Sequence, residues 1–206
     1  MNKIFRSSMV FALLLTVCAA AFAQGMEKDK DKDKDKPKAA QSSAPVTAPN
    51  VSGVLNRQLG GVESEIVPAA EAMPEDKFSF APTSGEFKGV RSFAQQLKHV
   101  AATNFLIGAS ILQEKSPADM GKGDGPEAMT SKAEIVKYLK DSFDYGHKAL
   151  AAVNEKNLTE LIPSPFGHNK ITRLGLSVLI VSHTFDHYGQ IVEYLRMNGI
   201  VPPASR

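Results

Sequence analysis

From residue 51 onward, apolar residues recur at intervals of three and four in four separate segments, and no stretch carries a good strand pattern. A repeat near 3.6 places such residues on one face of a helix, so the chain is expected to be all-α, an antiparallel four-helix bundle. The first segment, 52–73, puts Leu55, Leu59, Val62, Ile66, Ala69 and Met73 on one stripe. Gly60-Gly61 and Pro68 should weaken or kink it, and Pro74 ends it. The second helix is expected over 90–113 and the third over 131–153. The third opens on Ser131 and Glu134, a pair spaced to form a reciprocal capping box. The fourth covers 169–198 and stops at Gly199, with Pro202-Pro203 preventing continuation.

The connections differ in character. Residues 75–89 carry Phe78, Phe80, Pro82 and Phe87, aromatic enough to pack back on the bundle. Residues 115–129 hold Pro117, Gly121, Gly123, Gly125 and Pro126, a long irregular loop of the kind that forms lids and binding loops. A further irregular stretch, 154–168, contains Pro163, Pro165 and Gly167.

The N-terminal part obeys other rules. Lys3 and Arg6 precede an apolar run, 9–22, of 14 residues that includes Thr16, too short for a bilayer-spanning helix. Ala21-Phe22-Ala23 then supplies a small-x-small cleavage pattern, so residues 1–23 are read as a secretory signal rather than an uncleaved anchor, and the protein as secreted or periplasmic. Cys18 follows an apolar triplet, but the bulky Val17 before it argues against a lipoprotein. Cleavage after Ala23 removes this single cysteine, leaving no disulfide, thiolate nucleophile or thiolate metal ligand. Residues 24–50 read as a disordered linker, with charges alternating through EKDKDKDKDKPK before an Ala-, Pro- and Ser-rich tail, and 51–206 as the folded domain. Lys+Arg (24) and Asp+Glu (22) nearly cancel, and losing Lys3 and Arg6 leaves a formally neutral chain, without the electrostatic basis for binding nucleic acid. No transmembrane span is expected in the mature protein.

The inner stripe of the fourth helix runs Leu176, Leu179 or Ile180, His183, His187, Ile191, Tyr194 and Leu195. Two histidines thus occupy core positions four residues apart, with Cβ atoms about 5 to 6 Å from each other, the spacing at which two imidazoles bind one ion. Two buried imidazoles need partners for their ring nitrogens, and a divalent metal supplies one. A third ligand must come from elsewhere, and His99, His147 and His168 are available. His168 sits in a glycine-flanked loop. His147 lies on the third helix about one turn from Phe143. His99 is midway along the second helix, aligned with Ala102, Thr103 and Leu106, and is the strongest of the three, although geometry alone leaves the choice open.

The ending His183-Thr-Phe-Asp-His187-Tyr-Gly189-Gln190, followed by Tyr194-Leu195-Arg196 and Gly199-Ile-Val-Pro202-Pro203, resembles the DinB-like (DinB/YfiT-like) superfamily of metal-binding four-helix bundles. The segment from Arg91 to His99 resembles the helix that carries that family's first histidine. The resemblance extends over roughly 54–205 and selects His99, so it implies a metal site of His99, His183 and His187. It further implies a divalent ion, zinc or nickel foremost, held by three imidazoles with open positions for water or substrate. Relatives include thiol-cofactor-dependent transferases and isomerases, and homodimers are allowed.

Three neutral imidazoles leave the ion's full charge to act on a bound water or substrate group. Asp186, between the two ligands and about a quarter turn away, is the candidate catalytic carboxylate, as base or as hydrogen-bond partner of a ligand imidazole; a solvated surface carboxylate is the plainer reading. Tyr188 and Gln190 are candidates to support the ligands. A zincin needs Glu where Thr184 stands, and neither helix-four histidine has the Glu three residues earlier that a ferritin-like di-iron site requires. The expectation is therefore a secreted metal-dependent enzyme of transferase or hydrolase type acting on an unknown small-molecule substrate. Export argues against a cytosolic thiol cofactor. The alternatives are a non-catalytic metal-binding or stress-associated protein and a homodimeric bundle whose histidines only pack.

Overall fold

The structure, a computed structural model, describes residues 50–206; the expected signal (1–23) and linker (24–50) lie outside the described residues, apart from Asn50. Helix α1, Val51–Ala72, begins where Asn50 accepts the Gly53 N–H at 2.8 Å, one of the four donors a helix start leaves unpaired. It runs unbroken through Gly60-Gly61 and Pro68, because every residue of its expected stripe is buried and tertiary packing outweighs local propensity. Pro74 ends it, and a short 3₁₀ turn, Glu75–Lys77, leads into the aromatic connector.

That connector packs as expected. Phe78 stacks edge-to-face on Phe93 at 5.3 Å and Phe80 on Tyr194 at 5.7 Å. The carbonyls of Phe80 and Phe78 also accept the first N–H groups of the next helix, from Phe93 (2.8 Å) and Ala94 (2.9 Å). Helix α2, Phe93–Leu112, starts three residues later than the apolar spacing indicated, because Ser92 and Gln95 close a capping box there and Val90 stays exposed. Helix α3, Lys132–Ala151, opens with the Ser131 and Glu134 capping box read from the sequence.

The sequence reading missed a small hairpin. Strand β1, Leu161–Pro163, pairs antiparallel with β2, Lys170–Thr172, and this pushes the start of helix α4, Arg173–Met197, four residues past the expected position. Strands of three residues, with only Ile162 buried, are too short to show a period of two. Thr172 then caps α4 by accepting the Gly175 N–H, and Gly199, at φ 73°, lets the chain turn out of the helix.

The four helices form the expected bundle, α1 and α2 each packing against both α3 and α4. The antiparallel arrangement holds for two of the four neighbouring pairs. Asn56 on α1 meets His147 on α3 while Glu71 meets Lys140, and the Arg91 end of α2 meets Tyr194 while its Ile111 end meets Arg173. Along α2 and α3, however, contacts advance together, Asn104 against Ser142 and Gly108 against Tyr145, so these helices are parallel, as α1 and α4 then must be. The 115–129 loop makes this possible by carrying the chain back along α2. Close approach of the parallel pair requires Gly108: a Cβ there would lie 2.8 Å from the Tyr145 ring. Among the described residues no helix is long and apolar enough to cross a membrane.

Candidate metal centre

Helices α2 and α4 bring His99, His183 and His187 together, with one ring nitrogen from each lying within 4.8 Å of the others. The Nε2 atoms of His99 and His183 are 3.2 Å apart, and the ring centroids are separated by 4.5 to 5.1 Å. Two nitrogens bound to one tetrahedral ion at its usual bond length lie about 3.3 Å apart, so the spacing suits a shared ion.

The outer ring nitrogens explain why the inner ones converge. His99 Nδ1 faces the Gly123 carbonyl at 2.7 Å and the Asp124 carboxylate at 3.1 Å, and His187 Nδ1 faces Gln96 Oε1 at 2.6 Å. Oxygens of these kinds only accept, so Nδ1 carries a proton in both rings, and in the neutral form of such a ring Nε2 keeps a bare lone pair. His183 Nδ1 is buried without a hydrogen-bond partner, across the ring from the Nε2 that faces His99. Burial, followed by the neighbouring His187, His99 and Arg91, pushes the His183 imidazole down to about 3. For His187, burial and His99 lead, Asp186 partly opposes and Arg91 adds, giving about 4. Both rings are therefore neutral at pH 7, the protonation state a metal requires.

The other sequence candidates lie elsewhere. His147 is held between Asn56 (2.7 Å) and Glu63 (3.0 Å) of α1, both ring nitrogens engaged, and His168 is exposed in the turn of the hairpin. Asp186 is exposed and meets no imidazole; its Oδ2 accepts from Gln190 Nε2 at 3.3 Å. Tyr188 packs half-buried against the core. Sequence reasoning missed Gln96, Gly123 and Asp124. Gln96 precedes His99 by one helical turn, a spacing that signals a shared face, whereas nothing local signals the loop carbonyl.

That loop is fastened to the bundle. Lys98, 8% exposed, donates from Nζ to the carbonyls of Pro126 (2.9 Å) and Met129 (3.1 Å), and Tyr138 donates to the Asp119 carbonyl. Gly125, at φ 71°, lies against the Lys98 Cβ, where a side chain would intrude at 3.0 Å. Replacing Lys98 with methionine keeps the packing stem and removes both charge-assisted bonds, a loss of about 2 kcal/mol. The expected result is faster proteolysis within 115–129 and weaker metal binding through His99. Unchanged cleavage would show that the loop is held by other contacts. An open cleft of about 440 Å³, lined by Arg91, Gln96, Asp124 and Gln190 among others, lies against the residues that hold His99 and His187 from outside.

The sequence profile of the DinB superfamily matches residues 58–191, a stretch that includes all three histidines. The chain belongs to the DinB superfamily. Two solved structures show the same fold. A DinB-like protein, YjoA, from Bacillus subtilis superposes with a TM-score of 0.55 at 19% identity, covering 71% of this chain and 92% of that one. A DinB-like protein from Bacillus cereus gives 0.59 at 15% identity, covering 76% and 98%. No curated protein matches the sequence. This DinB-superfamily chain thus carries a three-histidine cluster able to hold a metal ion, built on α2 and α4.

Proposed function

We propose that the protein is exported by residues 1–23, binds one divalent ion, zinc or nickel, through His99, His183 and His187, and acts as a metal-dependent enzyme of transferase or hydrolase type. What carries the metal reading is the inward convergence of one ring nitrogen from each of three histidines, two of them with Nδ1 tied outward. When bound, such an ion supplies Lewis acidity, with coordination positions left for water or substrate. The chain's own residues orient the rings: Gly123 and Asp124 hold His99, and Gln96 holds His187.

One observation favours the second reading, a non-catalytic metal-binding protein. Asp124 approaches His99 from its Nδ1 side, and Asp186 connects to His187 Nδ1 through Gln190 and Gln96, so both carboxylates support the rings from outside. Elemental analysis of protein purified without a histidine tag tests the metal centre. About one equivalent of a divalent metal is expected in the wild type and in His147→Ala, whose ring is engaged on α1. Absence of metal from both after reconstitution would overturn the reading. With metal present, turnover on a panel of esters, amides and thiols separates enzyme from binder.

A further inference from the structure

We propose that Gln96 is a positioning residue for His187, and that Gln190 and Asp186 set the direction in which its amide points, so that a surface carboxylate selects the tautomer of an inner imidazole. The consequence for metal binding rests on the metal reading above; the tautomer does not. A single hydrogen-bond chain runs between the two residues. His187 Nδ1 lies 2.6 Å from Gln96 Oε1, Gln96 Nε2 lies 2.8 Å from Gln190 Oε1, and Gln190 Nε2 lies 3.3 Å from Asp186 Oδ2.

Its polarity is determined from the outer end. An ionised carboxylate only accepts, whereas each glutamine presents a donor on one side and an acceptor on the other. Asp186 therefore draws the NH₂ group of Gln190 and turns the Gln190 oxygen inward. That oxygen draws the NH₂ group of Gln96 and turns the Gln96 oxygen onto His187, whose Nδ1 must then hold the proton. Nε2 is left with its lone pair facing His99 and His183. Gln96 is only 2% exposed, so water does not readily replace it in the chain. Supports of this kind typically change metal affinity by about 10- to 100-fold when removed.

The test compares the wild type with Gln96→Leu, Gln96→Glu and Asp186→Lys. Two quantities are read: the His187 tautomer, from imidazole ¹⁵N shifts of the metal-free protein, and zinc affinity, from competition with a chromogenic chelator. Wild type and Gln96→Glu, which keeps an acceptor at the same place, should hold His187 with the proton on Nδ1. Gln96→Leu should release it to a mixture of tautomers and weaken zinc binding by about 10- to 100-fold. Asp186→Lys exchanges an acceptor for a donor at an exposed position, so it should shift the tautomer without disturbing the fold, and it keeps the test decisive if Gln96→Leu folds poorly. A Gln96→Leu or Asp186→Lys protein with the wild-type tautomer and affinity would overturn the proposal, as would a wild type protonated on Nε2. A wild type with the Nδ1 proton that binds no zinc would overturn the metal reading and leave the positioning inference standing.

Discussion

Replacing His183 with alanine is expected to abolish stoichiometric metal binding while leaving the metal-free fold as stable as the parent's. The imidazole supplies one of three converging nitrogens, and its other nitrogen is buried without a partner, so truncation removes a ligand and an unsatisfied polar atom together. A ligand that binds only the folded state stabilises it by mass action, about 4 kcal/mol at a thousandfold excess over Kd. For a domain of this size that is about 10 °C in Tm. Wild-type protein should therefore melt about 10 °C higher with saturating zinc than with a chelator, and His183→Ala should melt at one temperature in both. Thermal scans with and without metal, beside elemental analysis, measure this. A variant still carrying one equivalent, or a wild type indifferent to zinc and chelator, would remove His183 from the site.

The opposite pattern is expected for Phe143→Ala. Phe143 is fully buried on α3, the helix that packs against both α1 and α2, and none of its atoms is required at the histidine cluster. Truncating a buried aromatic loses its transfer free energy and leaves a cavity, about 3 to 5 kcal/mol together. Tm should fall by about 10 °C, while metal stoichiometry measured well below that Tm stays at the wild-type value. Urea unfolding with an unchanged m-value would report the loss as one of stability alone. A cost under about 1.5 kcal/mol would mean that the helices close around the gap more completely than close packing allows. Together the two variants separate the site from the scaffold: one removes the ion and spares the fold, the other weakens the fold and spares the site.

Features that rest on neighbouring residues are legible in the sequence. The Ser131 and Glu134 capping box, the stripe from Leu55 to Met73 and the stop at Gly199 depend on residues within a few turns of one another, and the structure has all three. The start of α2 depends on an equally local pair, Ser92 and Gln95, but the apolar spacing also takes in Val90, which stays exposed, and so points three residues too early. The hairpin 161–172 was invisible because its three-residue strands bury one side chain. The parallel course of α2 and α3 was invisible for a different reason. The apolar period of a helix reports which face is buried and carries no sign for direction, which the return of the 115–129 loop along α2 decides.

The candidate site divides along the same line. Four amphipathic helices and a pair of histidines on the inner face of the last one follow from the sequence alone, since spacings of three and four act within a single helix. The third histidine follows only from resemblance to a family, because His99 and His147 both lie on helices and local pattern ranks them only weakly. Tertiary structure alone engages both nitrogens of His147 with α1 and sets His99 against His183 across 84 residues of chain. It also supplies the Gly123 carbonyl and the Gln96 amide that turn two rings inward. Those partners come from a loop and a facing helix: the spacing of Gln96 from His99 marks a shared face without naming His187 as its partner, and nothing local announces the Gly123 carbonyl.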